Sequence, residues 1–159
     1  MIGRRMLVYG CLAAAALAAP SIATAQRPSS YKTPGATAKV KMEQLCAPDF
    51  AKSLKPVSNW QRSEALERYG LRSDGFSGEL DHLVPVSLGG SNDPDNLWPF
   101  RASGVFTLEA KQALASKLLG EVCARKFSLK DAQDAFRKDW TLSYQVHMKM
   151  KTHNAPEQE

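Results

Sequence analysis

Residues 71–104 place the strongest constraint on this fold, because glycines and prolines recur there too closely for a helix to persist. Proline lacks the amide hydrogen that a helix interior needs, and glycine favours turns. Two short strand candidates remain in the stretch, over residues 79–84 and 96–98. The ten residues VSLGGSNDPD separate them and consist mainly of turn formers. The sequence therefore predicts two short strands joined by a tight, polar loop.

Helical patterns lie on both sides of that stretch. Residues 39–46 predict a short helix, and residues 58–69 predict a longer one that Gly70 ends. Two further helices follow residue 104, with Thr107 and Ser128 as their N-caps. Positions expected on the inner helix faces are Trp60, Ala65, Leu66 and Tyr69, then Leu108, Lys111, Leu114, Leu118 and Val122, then Leu129, Ala132, Phe136, Trp140, Tyr144 and His147. The expected fold class is α+β, mostly helical.

The N-terminus has the pattern of a secretory signal peptide. Arg4 and Arg5 precede an apolar run over residues 6–19, and Ala23-Thr24-Ala25 fits the small-x-small cleavage pattern. The alternative is a membrane anchor, but the run is shorter than the roughly 20 residues that a spanning helix needs. We therefore expect cleavage before Gln26, a periplasmic or secreted protein, and no membrane anchor after cleavage.

The remaining chain is predicted to form one domain. The full chain has 159 residues, with 43% hydrophobic and 23% charged, which excludes a wholly disordered chain and a polytopic membrane protein. Residues 26–38 favour a flexible lead, residues 39–150 a single domain, and residues 151–159 a loose tail. Without residues 1–25, Lys plus Arg falls from 21 to 19 against 16 acidic residues, a mild excess that permits a polyanion partner.

Cysteine usage in the exported part is informative, because only Cys46 and Cys123 remain after cleavage. Two cysteines in an oxidising compartment most simply form one disulfide. The alternative is a pair of buried free thiols.

Asp81 and His82 stand together within the first strand candidate, shortly before Pro85 and the glycine loop. Adjacent strand residues point to opposite faces, so these two side chains can converge only at a strand end or distortion. A carboxylate that holds a hard divalent cation, beside a neutral imidazole that deprotonates water, is suited to phosphodiester hydrolysis. The alternative for a lone Asp-His pair is a structural histidine in a turn.

The longer string resembles a known family. The residues DHLVPVSLGGSNDPDNLWPF resemble the HNH nuclease motif, with its Asp-His pair, a proline three residues later, a Gly-Gly loop and an Asn-Leu pair before a helix. More narrowly, YGL, ELDHLVPVSLGGSN, NLWP and AKQALASKLLGEVC are similar to small exported bacterial HNH-like proteins. The resemblance covers roughly residues 43–145.

The resemblance implies a ββα-metal finger, in which two strands and a helix grip one divalent ion. His82 matches the histidine that serves as general base, and Asp81 matches an acid that is often a metal ligand. Asn96 matches the central asparagine, which ties down the loop and orients the base. The implied chemistry is hydrolysis of a phosphodiester bond.

One departure from the motif concerns its third ligand, a His or Asn near the start of the finger helix. Residues 100–112 contain neither. Thr107 and Glu109 are the candidate oxygen ligands there, which favours Mg²⁺ or Mn²⁺ over Zn²⁺. Arg101 and Lys111 flank the expected site and are the candidates for contacts with substrate phosphates.

Two functional hypotheses follow. The first is an exported, monomeric, metal-dependent HNH-type nuclease that acts on DNA or RNA with low sequence specificity. The second is a degenerate, non-catalytic HNH-fold module that binds nucleic acid or a partner at the cell envelope. The missing third ligand favours the second hypothesis, while Asp81, His82 and Asn96 favour the first.

Overall fold

Five helices and one two-stranded antiparallel sheet form the part of the chain that the computed structural model describes, residues 27–148. The elements are α1 (Met42–Leu45), α2 (Phe50–Ser53), α3 (Asn59–Glu67), β1 (Glu79–His82), β2 (Leu97–Phe100), α4 (Leu108–Cys123) and α5 (Leu129–His147). The α+β class is confirmed, with about half of these residues helical. The predicted signal peptide and the tail from residue 151 lie outside the described residues. None of the helices within 27–148 is long and apolar enough for a membrane crossing.

Side-chain caps begin the three longer helices. The Ser58 hydroxyl accepts the amide of Gln61 at the start of α3. Thr107 and Ser128 accept the third amide of α4 and α5 in the same way. Such caps pair backbone donors that a helix start leaves unbonded. The N-caps that the sequence predicted for α4 and α5 are therefore confirmed.

Helix α5 contains a break that the sequence pattern did not predict. Asp139 has extended backbone angles, with φ −166° and ψ 94°. Its Oδ1 accepts the amides of Thr141 at 3.0 Å and Leu142 at 3.1 Å, so it caps the second half of the helix. Its Oδ2 also pairs with Arg27 at 2.7 Å. The break is thus stabilised by local capping and by an ion pair to the N-terminal segment.

The two strands form a hairpin in which His82 lies opposite Leu97 and Glu79 opposite Phe100. Strand β1 ends two residues earlier than the predicted span, because the backbone of Val84 bonds the side chain of Asn96 instead of a strand partner. Strand β2 extends to Phe100, two residues beyond the predicted span. The hairpin contributes one face to the core.

The core lies between the hairpin, α4 and α5. Its largest fully buried side chains include Trp98 from β2, Leu114 from α4, and Phe136 and Trp140 from α5. The predicted inner face of α3 is correct for Ala65 and Leu66, which are buried, but wrong for Trp60, which is 67% exposed. Trp60 occupies the first turn of α3, where no element within residues 27–148 covers it.

Residues 27–38, which the sequence assigns to a flexible lead, lie against the domain and make hydrogen bonds to it. The buried Thr33 hydroxyl donates to the carbonyl of Leu97 at 3.0 Å. The amide of Ala38 donates to the carbonyl of Gly89 at 2.9 Å. Ser, Thr, Pro and Gly composition indicates the absence of regular structure, but it does not decide whether a segment finds hydrogen-bond partners on a neighbouring loop.

The disulfide predicted between Cys46 and Cys123 is confirmed, with a Cα–Cα distance of 5.7 Å. It joins the end of α1 to the last residue of α4 across 77 residues of sequence. Helix α4 is therefore covalently anchored to the N-terminal part of the domain.

We predict that replacing both cysteines, Cys46→Ser with Cys123→Ser, lowers the free energy of unfolding of residues 26–159 by about 4 to 5 kcal/mol. The reason is the entropy that the unfolded chain regains when a loop of this length opens. Urea denaturation of the variant and of the oxidised wild type measures the difference. Wild type unfolded without reductant should show no titratable thiol. Equal urea midpoints for the two proteins would contradict the prediction.

Candidate active site

Asp81 and His82, the last two residues of β1, line one pocket of about 330 Å³ together with residues of α4. Strand pairing stops at His82, and the chain turns away at Pro85. Asp81 and His82 are neighbours on one strand, yet both residues line this pocket. The lining residues are Asp81, His82, Pro85, Val86 and Ser87 on the hairpin side, and Leu108, Lys111, Gln112, Ala115 and Ser116 on α4.

Asn96 closes the loop that follows β1, and its side chain is fully buried. Its Oδ1 accepts the amide of Val84 at 2.8 Å. Its Nδ2 donates to the carbonyls of Val84 at 3.0 Å and Ser91 at 2.9 Å. One amide thus bonds both ends of the loop, and it does so without lining the pocket. Asn96 acts on the loop backbone, which carries His82 at its beginning.

The closure leaves room only for glycine at position 90. A Cβ atom added to Gly90 would lie 1.9 Å from the carbonyl oxygen of Val84, far inside van der Waals contact. The same residue pairs with Thr37 of the N-terminal segment in an isolated bridge. The Gly-Gly pair of the motif therefore serves close backbone approach at this position.

His82 is held by a two-step hydrogen-bond relay. Its Nε2 lies 2.8 Å from Oδ1 of Asn92, and Nδ2 of Asn92 donates to the carbonyl of Lys55 at 2.7 Å. A carbonyl only accepts, so Nδ2 of Asn92 must face Lys55 and Oδ1 must face the imidazole. Nε2 is then the protonated nitrogen, and Nδ1 keeps its lone pair.

The charge state of His82 suits a base. Burial lowers the pKa of His82 below its ordinary value, and Lys111 acts in the same direction. The bond to Asn92 and the charge of Asp81 oppose this shift without reversing it. The imidazole is therefore neutral at neutral pH, with a free acceptor on Nδ1.

Lys111 forms a buried ion pair with Asp81, with 2.8 Å between Nζ and Oδ2. The side chain of Lys111 is only 3% exposed and that of Asp81 is 17% exposed. The ammonium also donates to the backbone carbonyl of His82 and lies 5.4 Å from the ring centroid of Phe136. Burial lowers the pKa of Lys111, while the charge of Asp81 raises it against that effect. The expectation that Lys111 reaches out to substrate phosphates is wrong, since its head is already engaged inside the protein.

The other residues predicted for the site lie elsewhere. The hydroxyl of Thr107 is used to cap α4, where it accepts the amide of Ala110 at 3.2 Å. Glu109 is exposed and does not line the pocket of Asp81. Arg101 is exposed beyond the other end of the hairpin, where it lines a separate groove. The structure thus brings together Asp81, His82 and Lys111, and leaves out Thr107, Glu109 and Arg101.

The residues present do not fit the resident divalent metal that the resemblance implies. A hard cation needs several oxygen ligands with free lone pairs. Asp81 already holds the Lys111 ammonium, and neither Thr107 nor Glu109 joins it at the pocket. Among residues 27–148 no three His, Cys, Asp or Glu side chains are placed to share an ion. The predicted Mg²⁺ or Mn²⁺ set of Asp81, Thr107 and Glu109 is therefore not assembled.

Two residues of the site were not recognised in these roles from the sequence. Asn92 lies in a run of turn formers, and nothing in that run marks one side chain as the partner of His82. A signal existed for Lys111, since it occupies a position on the apolar stripe of α4 between Leu108 and Leu114. A lysine on such a stripe is expected to be buried and to need an acidic partner.

Comparisons with protein-family models, with curated proteins and with solved structures found no match to this chain. The likeness to HNH proteins therefore depends on the motif residues themselves and on their order along the chain.

We predict that Asn96→Ala lowers the free energy of unfolding by about 3 kcal/mol, because it leaves the buried amide and carbonyl of Val84 and the carbonyl of Ser91 without a partner. Asn59→Ala, at an exposed asparagine of α3, is the matched control and should change stability by less than about 0.5 kcal/mol. Urea unfolding of both variants tests the difference. The assigned role of Asn96 is wrong if the two substitutions have the same effect.

Proposed function

We propose that the protein is an exported HNH-fold nuclease that hydrolyses phosphodiester bonds of DNA or RNA with low sequence specificity, and that His82 is its general base. The observation that carries the proposal is the state of His82. Its Nε2 is committed to Asn92, its Nδ1 keeps a lone pair, and the residue lines an open pocket. A neutral imidazole in this state is equipped to take a proton from water.

The order of elements around the pocket supports the same proposal. Strand β1 leads into a loop that Asn96 closes, β2 follows directly, and α4 supplies the opposite wall. This is the strand–loop–strand–helix order of a ββα finger. We propose that the hairpin and α4 correspond to that finger, with Lys111 at the helix where a metal ligand is otherwise expected.

The proposed reaction exchanges one bond at phosphorus and moves protons through His82 and solvent. Nδ1 of His82 takes a proton from a water molecule, and the water oxygen forms a bond to phosphorus. The bond between phosphorus and the departing sugar oxygen breaks, and that oxygen takes a proton from solvent. His82 then returns its proton to solvent. A positioned general base of this kind accelerates hydrolysis by about 10² to 10⁴-fold.

Low specificity is proposed because residues 27–148 form one domain around this pocket, without a second module for reading base sequence. The small excess of basic residues suits contact with a polyanion without indicating a particular sequence.

A second candidate is a non-catalytic module of the same fold. The ion pair between Asp81 and Lys111 favours it, because a carboxylate neutralised inside the protein is not free to organise a reaction centre. The same pocket would then serve binding alone. The two candidates differ in whether His82 is needed for turnover or only for the shape of the pocket.

We predict that residues 26–159 nick supercoiled plasmid in the presence of Mg²⁺, and that His82→Ala reduces the rate at least 100-fold through loss of the base. His147→Ala is the matched control, since His147 lies at the end of α5 with its ring against Phe127. Gel electrophoresis of the plasmid gives the rates, and circular dichroism checks the fold. Absence of nicking by the wild type, with DNA or RNA still bound, would favour the second candidate.

We further predict that activity depends on deprotonated His82. Its lowered pKa should keep the wild type active below pH 6.5, the ordinary midpoint of histidine. Asn92→Asp places a carboxylate on Nε2, which stabilises the imidazolium and raises the pKa of His82. The acid limb of the pH–rate profile should therefore move to higher pH in this variant.

Asn59→Asp adds the same charge at an exposed position and serves as the control for that pH profile. Its acid limb should coincide with that of the wild type. If Asn92→Asp also leaves the limb unmoved, the relay from Asn92 to His82 does not set the state of the base.

A further inference from the structure

We propose that the Lys111 ammonium permanently occupies the place beside Asp81 that a divalent cation would take, so that the pocket operates without a bound metal. The inference deepens the proposed function and rests on it for the meaning of the pocket. Whether Lys111 prevents a metal ion from binding at Asp81 is tested by metal binding, separately from nuclease activity.

The ammonium bridges the two walls of the pocket, since its side chain comes from α4 and its partners, Asp81 and the carbonyl of His82, belong to β1. A divalent ion that joined the hairpin to α4 would need the same Asp81 carboxylate. The cationic head therefore stands at the junction where a metal would link strand and helix.

A lysine side chain that is 3% exposed cannot move its head into water without repacking of the core around it, where Phe136 also lies. An ion that displaced the ammonium from Asp81 would leave that positive charge buried and unpaired. Both the desolvation of the lysine and the repulsion between two cations oppose metal entry.

Asp81 is the only carboxylate among the residues that line the pocket, and the other oxygen-bearing side chains there are Ser87, Gln112 and Ser116. These neutral hydroxyls and the amide are too weak as ligands to hold a divalent cation when the charge of the Asp81 carboxylate is already balanced by the Lys111 ammonium. Removal of the charge on Lys111 would free Asp81 and place an amide oxygen beside it, which is a better set for a hard cation.

The test is a Mn²⁺ titration of the purified protein, followed by electron paramagnetic resonance of free Mn²⁺. We compare the wild type, Lys111→Gln, and the double variant Lys111→Gln with Asp81→Asn. Lys117→Gln is the matched control, because Lys117 lies on α4 in a surface ion pair with Glu121. We expect Lys111→Gln to bind Mn²⁺ at least tenfold more tightly than wild type, and the double variant and Lys117→Gln to remain at the wild-type level.

A second measurement keeps the test decisive if Lys111→Gln does not fold. Wild type and Asp81→Asn are titrated with Mn²⁺ in the same way. Equal, weak binding supports the proposal, whereas tighter binding by the wild type places a metal on Asp81 and overturns it. A folded Lys111→Gln that gains no Mn²⁺ affinity overturns it as well.

Plasmid nicking in EDTA separates this inference from the proposed function. Nicking by the wild type that persists in EDTA supports both. If EDTA abolishes nicking and Mn²⁺ restores it, the proposed nuclease activity is supported, but the proposal that Lys111 takes the place of the metal is overturned. Absence of nicking under every condition removes the nuclease, and the Mn²⁺ titrations still decide whether Lys111 closes the site to metal.

Discussion

The buried side chain of Asn96 is the interaction on which the site depends most. Its amide bonds the backbone at both ends of the loop after β1, through Val84 and Ser91. Without Asn96, the loop would bury backbone groups that have no hydrogen-bond partner. The amide of Asn96 replaces water as their partner only when the loop is in this closed conformation. His82 leaves β1 at the start of that loop, and Asn92 lies near its end. The distance between base and partner is therefore a consequence of the closure.

Two further restraints hold the walls around the loop. The N-terminal segment lies along its outer side, where the amide of Ala38 bonds Gly89 and the amide of Ser91 bonds Ala36. The disulfide anchors the far end of α4, and the ion pair between Asp81 and Lys111 joins the same helix to β1. A buried ion pair adds little net stability, but separating its two charges leaves each of them buried without a partner, which is strongly destabilising. We infer that it sets the position of α4 against the hairpin.

Prediction from the sequence succeeded where the signal is local. The caps at Thr107 and Ser128 need only a hydroxyl at a helix start, and the cysteine pair needs only an oxidising compartment. It failed where the outcome depends on what another element covers. Trp60 has the spacing of an inner-face residue, but no other described element covers the first turn of α3, so its side chain is exposed. Glu109 has the chemistry of a metal ligand, but its side chain is exposed to solvent.

The sequence by itself determined the order of strands, loop and helices, the disulfide, and the placement of Asp81 and His82 on the first strand before the glycine loop, because these follow from local backbone preferences and residue chemistry. Only the tertiary structure decided which groups meet in the pocket. It paired Asp81 with Lys111 instead of an oxygen ligand, and His82 with Asn92. The physical reason is that a buried charge or polar atom takes the partner that packing brings within reach, and that choice is made between elements distant in sequence.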